Sequence, residues 1–334
     1  MKTMNKTVLL VILINLFFHS VAESAIKVKD FRGKDITLNK PAKRIVCLIE
    51  SALTGLYMLG AQDKIVGVPT NIYEEGYFYS ETFKYYAALD VRIKNKKIPA
   101  LGNWEKADIE KIVALKPDLV IIWSNQMDII TSLEKIGIPV YGVFITKLED
   151  VFKEILDFGK LLDSEKRALE LVDYIKKEVE NIRLNSLKIK NKKEVFFSWA
   201  QLNFLQTSCR GSIVNEILDL IGAKNICSDI NDESVLLNIE SLLSKNPDVI
   251  IMWHSKSMNP EDFKENSQLR TLKAVKKNSI YEFHDTFSYD LWTLKFIYAA
   301  HYMANKVYPE IYSYNLAKKR SEIMKFLYKK EFNF

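Results

Sequence analysis

The sequence predicts an α/β fold of two lobes with mainly parallel central sheets, joined by one long linker helix, with a ligand cleft between the lobes. Three observations carry that prediction. Short apolar runs alternate with helical patterns in both halves of the 334-residue chain, a helix–turn–strand unit occurs twice at a spacing of 130 residues, and a proline-free stretch from Pro139 to Pro247 holds a long helical period. The length agrees, because a single core stops growing at roughly 250–300 residues.

The first residues read as a leader. Lys2 and Lys6 precede the eleven-residue apolar run from Val8 to Phe18, and Ser20-Val21-Ala22 supplies the small residues of a cleavage site, so residues 1–22 are expected to be a signal peptide. The run is shorter than the roughly 20 residues that span a bilayer. No cysteine stands near the cut, which argues against a lipoprotein anchor there. Residues 23–163 then form the expected N-terminal lobe, 164–187 the linker helix and 188–334 the C-terminal lobe.

The mature start, Val28 to Leu38, alternates around Arg32-Gly33-Lys34 and reads as a β-hairpin ended by Pro41. Strands follow over 44–49, 64–68, 119–123 and 138–143, interleaved with helices over 51–59, 108–115 and 127–136. In the linker, Ala168, Leu171, Val172, Ile175, Val179 and Ile182 keep a helical period, with Asp163 or Ser164 as cap. At 1.5 Å per residue that helix spans about 35 Å, enough to run between two lobes. The pattern restarts with a strand at Glu194 to Trp199, a helix over 212–221, a further helix–strand pair, a helix beginning near Asp290 that contains His301, and an amphipathic tail after Pro309.

The repeat is the most informative feature. Asp108 to Trp123 (DIEKIVALKPDLVIIW) returns as Asn238 to Trp253 (NIESLLSKNPDVIIMW), with six of sixteen positions identical. Each copy is a capped helix, a Pro-Asp turn that forbids its continuation, and an all-apolar strand suited to burial on both faces, ending at a tryptophan. The helix runs antiparallel to its strand, so Glu110 shares a rim with Trp123, and Glu240 with Trp253. Ligands of open α/β sheets bind beyond the carboxyl ends of strands, so this rim is where a cleft is expected. Glu110 and Glu240 sit in first helical turns, where the dipole favours a carboxylate. As exposed knobs, one per lobe, they are also candidates for docking onto a basic partner.

Composition narrows the function. With 48% hydrophobic and 27% charged residues the chain can fill a core, and the net charge is too small for disorder. Removing Lys2 and Lys6 lowers the formal charge from +6 to +4, spread without a basic cluster, so nucleic acid is not expected as a partner. Three cysteines leave Cys209 with Cys227 as the one plausible bridge and Cys47 as a buried strand thiol. No G-x-G-x-x-G, P-loop, G-x-S-x-G or H-E-x-x-H motif is present, so catalysis has little support. A secreted metal-dependent enzyme using Glu50, His254 and His284 is the alternative from another class.

Pro41-Ala42-Lys43-Arg44-Ile45-Val46, Leu59-Gly60-Ala61, Ile65-Val66-Gly67-Val68, the first repeat copy and Ile221-Gly222-Ala223-Lys224-Asn225, taken in order, resemble the class III periplasmic substrate-binding proteins. These serve ABC importers of iron-siderophores, haem and cobalamin. The resemblance covers nearly all the mature chain. It implies a periplasmic monomer with two α/β lobes on a rigid helix, and no cofactor. It implies docking of Glu110 and Glu240 on arginines of an inner-membrane permease dimer, and ligand contacts at Trp104, Trp123 and Arg210. The sequence departs from the family after the first strand, where Ile49-Glu50 and Leu53-Thr54 replace a Ser-Pro and a Thr-Glu, so that Glu50 faces the cleft mouth.

Trp253 completes the expected cleft. Tyr73, Tyr77, Phe78, Tyr79, Phe83, Tyr85 and Tyr86, followed by Arg92, Lys94, Lys96 and Lys97, suit a planar or catecholate anion, although half or more are expected to be packing or surface. His254 and His284 are candidate metal ligands, with Tyr289 as an oxygen donor. The ligand expected from these residues is a metal chelate, first of all a ferric siderophore or haem, with cobalamin and chelated nickel as alternatives.

Overall fold

A computed structural model describes residues 25–73 and 82–332. The signal-peptide reading, and Tyr77, Phe78 and Tyr79, fall outside those residues.

The hairpin forms as β1 (Ile26–Lys29) and β2 (Asp35–Leu38), antiparallel. The N-terminal lobe then builds β3 (Ile45–Cys47), α1 (Glu50–Met58), β4 (Ile65–Pro69), α2 (Phe83–Leu89), α3 (Val91–Lys94), β5 (Ala100–Gly102), α4 (Ile109–Ala114), β6 (Leu119–Trp123), α5 (Met127–Lys135), β7 (Val140–Val143) and α6 (Leu148–Leu161). Its sheet is parallel throughout, in the order β5-β4-β3-β6-β7. After the linker helix α7 (Glu165–Ser186), the C-terminal lobe builds β8 (Glu194–Ser198), β9 (Gln206–Thr207), α8 (Ile213–Leu220), β10 (Lys224–Asn225), β11 (Val235–Leu236), α9 (Ile239–Lys245), β12 (Val249–Met252), α10 (Pro260–Glu265), α11 (Lys273–Lys276), β13 (Ile280–Glu282), α12 (Phe296–Val307) and α13 (Leu316–Tyr328). Its main sheet, β10-β8-β12-β13, is also parallel. The two-lobed α/β fold is therefore as the sequence predicts.

The repeated unit has the same local bonding in both copies. Asp108 accepts the Lys111 amide at 3.0 Å, and Asn238 accepts that of Ser241 at 2.7 Å, each satisfying a helix-end donor. Lys116 and Asn246, just ahead of the prolines, take positive φ of 47° and 43° to stop the helix. Asp118 then accepts the Lys43 and Arg44 amides, and Asp248 the Glu194 amide, pinning each new strand beside the lobe's first one.

Strand alternation divides the core. Leu119 and Ile121 of β6, with Val249 and Ile251 of β12, join one continuous cluster that runs through Ala168, Leu171 and Ile175 of the linker helix into both lobes. Their neighbours Val120 and Ile122 face a separate outer cluster, as do Ile250 and Met252 in the other lobe. Because apolar packing is unbroken between the lobes, large hinge motion would have to open that core. The tail helix α13 adds to this brace: Arg167 of α7 donates to the carbonyls of Phe326 and Leu327, and Ile323, Met324 and Leu327 are buried.

Three local expectations differ. Ser164 precedes α7 without capping it through its side chain, and Asp163 takes φ 56° at the turn instead. Helix α12 begins at Phe296, because residues 290–295 form turns around Lys295 and Asp290. Helix α6, absent from the expected elements, packs against the linker.

Candidate functional site

Both repeated strands deliver their tryptophans to one cleft of about 320 Å³ lined by both lobes. All five tryptophans of the chain line it, Trp104 and Trp123 from the N-terminal lobe and Trp199, Trp253 and Trp292 from the other. The C-terminal three form one cluster: Trp199 lies 5.8 Å from Trp292 and nearly parallel to it, and Trp253 lies 5.1 Å from Trp199, tilted by 48°. The Trp199 indole N–H donates to Ser208 Oγ at 2.8 Å, which fixes the ring. Trp104 is different, 65% exposed on the loop that follows β5. That loop turns on Gly102, where a Cβ would stand 2.4 Å from the Lys106 carbonyl, and Asn103 Oδ1 accepts the Glu105 and Lys106 amides.

Three charged residues line the same cleft, Glu50 from the start of α1 and Asp290 and Lys295 from the loop ahead of α12. Lys295 Nζ lies 3.3 Å from Asp290 Oδ2 and 3.9 Å from the centre of the Phe287 ring, so its charge is already matched. Burial pushes its ammonium pKa down, against the pull of Asp290 and Glu50. Glu50 accepts from the Asn71 amide at 3.0 Å. Its carboxyl is pushed up to about 8, first by burial and then by the Asp290 charge. Burial thus favours the protonated, neutral form of the Glu50 carboxyl.

The structure separates the sequence candidates into three groups. Glu50, Trp104, Trp123 and Trp253 converge on the cleft. His284 and Tyr289 line a different pocket, and His254, which bonds Glu282 at 3.1 Å, lines neither. Arg210 is exposed and does not line the cleft; it is held by its backbone, whose amide donates to Ile230. The bases of the aromatic segment do not line it either: Arg92 pairs with Asp90 at 2.7 Å, and Lys94, Lys96 and Lys97 are exposed. Among the described residues no group of three or more His, Cys, Asp or Glu is placed to hold a metal ion, and Glu50, His254 and His284 do not meet. His301 bonds Glu178 of the linker at 2.7 Å, a structural role.

Sequence reasoning missed Trp199, Trp292, Asp290 and Lys295. Trp199 follows β8 as Trp253 follows β12, so the strand-end rule already pointed to it. The other three sit on an irregular loop with no periodic signal. Cys209 and Cys227 form a disulfide, and Cys47 is a buried thiol whose pKa burial raises. Glu110 and Glu240 are both exposed in the first turns of α4 and α9.

Residues 45–286 match the Periplasmic binding protein family. The chain is 28% identical over 264 residues to the uncharacterized ABC transporter substrate-binding lipoprotein YvrC of Bacillus subtilis, covering 77% of each. It is 28% identical to the vitamin B12-binding protein of Salmonella typhi over 159 residues, 47% of this chain and 59% of that one. Its fold superposes on the molybdate periplasmic binding protein MolA of Haemophilus influenzae, solved bound to molybdate, with a TM-score of 0.77 over 92% of this chain and 99% of that one at 16% identity. With its fold and the greater part of its length matched, the chain belongs to the periplasmic binding protein family, as an ABC transporter substrate-binding protein.

Proposed function

We propose that the chain, exported to the periplasm, captures without turnover a metal complex with extended apolar faces and no net negative charge, a corrinoid above all, and hands it to an inner-membrane permease through Glu110 and Glu240. The cleft's composition carries this reading. Five indoles offer stacking and apolar area, while Lys295, the single base that lines it among the described residues, is spent on Asp290. An anionic ferric siderophore or haem would meet two carboxyl groups and no uncompensated cation, so the charge argues against the iron complexes that the sequence first suggests. A metal already wrapped by its own ligand needs no protein donor, which suits a site without convergent histidines. Several relatives are named vitamin B12-binding proteins, which supports the same class.

The modest volume favours a second reading, a compact nickel chelate; a corrinoid would stand partly outside the cleft. Equilibrium dialysis and tryptophan quenching with hydroxocobalamin, nickel–histidine, haem and a ferric catecholate separate these. Saturable binding of cobalamin or nickel–histidine is expected. Binding of haem or the ferric catecholate alone would overturn the charge argument.

A further inference from the structure

A second pocket, of about 410 Å³, lies across the Tyr85–Phe287 stack from the cleft, the two rings 4.1 Å apart and within 5° of parallel. The loop between β13 and α12 forms a wall of both: Thr286, Phe287 and Asp290 line the cleft, and His284, Asp285 and Tyr289 line the second pocket. The two differ in chemistry. In place of indoles and carboxyls, the second pocket presents the phenols of Tyr85, Tyr289, Tyr298 and Tyr302 with Lys84, Lys306 and Arg320, against one carboxylate, Asp285.

Two of its cations, Arg320 and Lys306, are not consumed by ion pairs with any described residue. Arg320 donates Nε to Ser288 Oγ at 3.0 Å and Nη2 to the Tyr85 hydroxyl at 2.7 Å, and among the described residues no carboxylate stands within ion-pair distance of it. Lys306 lies over the rings of Tyr281 and Tyr302, at 5.2 and 5.4 Å, and likewise has no carboxylate within that distance among the described residues. Asp285 is half engaged, accepting the Ser288 amide. The hydroxyls of Tyr289 and Tyr298 are 3.3 Å apart; since one O–H donates to the other, the second is left to donate elsewhere. Burial raises both phenols, which keeps them protonated donors. Cationic side chains and a free phenol converging on a concave site are what an anion with several oxygens requires.

We propose that this pocket binds a compact, multiply charged oxyanion of the phosphate or polycarboxylate kind. Tyr85 lines it from the N-terminal lobe and Lys306 and Arg320 from the C-terminal one, so a bound anion sits on the seam between the lobes, at a site separate from the ligand cleft. The proposal is independent of what the cleft carries.

Calorimetric titration of the chain with inorganic phosphate and with citrate, against sodium chloride at matched ionic strength, tests it. Saturable binding of phosphate or citrate is expected, and the stronger of the two identifies the source. Each of Lys306→Gln and Arg320→Gln is expected to weaken it about tenfold, the loss of one charge-assisted contact. Circular dichroism melting confirms that the variants are folded, and Arg320→Lys, which keeps the charge, is expected to recover part of the affinity. Absence of saturable heat with both anions, or equal binding by the folded glutamine variants, would overturn the proposal.

Discussion

The two walls of the cleft come from equivalent strand ends, yet they are built differently. On the C-terminal side Trp253 is 5% exposed, packed at an angle against Trp199 and Trp292 and backed by Phe283 at 5.8 Å. On the N-terminal side Trp123 is half-buried and Trp104 stands out in solvent. One wall is part of its lobe's core and is in place before a ligand arrives. The other is more open: Trp123 packs against the core with part of its ring exposed, and Trp104 contributes little to folding, so on the proposed function its role is recognition.

The largest expected effect breaks that comparison most directly. Trp253→Ala should cost about 3–5 kcal/mol of stability, the range for truncating a buried aromatic, as well as ligand affinity. Trp104→Ala should leave the urea midpoint nearly unchanged and weaken binding alone. Equal destabilisation by the two, measured in urea, would mean that the walls are alike after all.

Next in size is the pH response of the N-terminal wall. The Glu50 carboxyl titrates near 8 when folded and, in the unfolded chain, near the ordinary glutamate value, so between those limits the native state holds the extra proton. The Glu50 contribution is therefore fully present below the unfolded value and is lost as pH rises through the window, by a few kcal/mol at most. Glu50→Gln should flatten the decline between pH 5 and 8. A residual slope is expected from Glu154, which burial and then Asp290 raise in the same direction. Urea melts across that range measure both, and an unchanged slope in the variant would remove Glu50 from the account.

A third contrast is covalent. The C-terminal lobe closes a loop of 18 residues between Cys209 and Cys227, whereas Cys47 in the other lobe has no partner sulfur. Chain-entropy arguments give about 3 kcal/mol for a loop of that length. Reduction, or the Cys209→Ala/Cys227→Ala pair, should lower stability by that order. Cys47→Ala should act only through the small cavity it leaves.

How far the sequence could be read follows the same division. Features set by local chemistry were legible: the all-apolar strands, the Pro-Asp stops and the tryptophans at strand ends, because each rests on a few adjacent residues. Asp290, Lys295 and Trp292 were not, since a turn without periodicity brings them to the cleft. Arg210 shows why resemblance misleads locally. The disulfide at Cys209 and the bridge from Arg210 to Asn231 hold that backbone, and the side chain lies outside the cleft that the family pattern implied. Helix α6 was legible too, since Leu148, Val151, Ile155, Phe158 and Leu161 keep a helical period, and it went unread between the strand at 140–143 and the linker.

The smallest effect on the isolated protein concerns the rim rather than the walls. Glu110 and Glu240 sit in matching first turns, each exposed, and each is stabilised by its helix dipole by no more than about 1 kcal/mol. Neither lines the cleft, so Glu110→Ala and Glu240→Ala should leave ligand affinity and melting nearly unchanged. Their proposed role is docking. If that is right, cellular uptake should fall with either substitution and fail with both, because a partner that straddles two lobes loses one anchor and then the other. Uptake at the unsubstituted rate by the double variant, with binding intact, would leave the duplicated acids with the helix dipole as their whole purpose. The wall asymmetry would stand unaffected, since it rests on burial within the lobes and not on the rim.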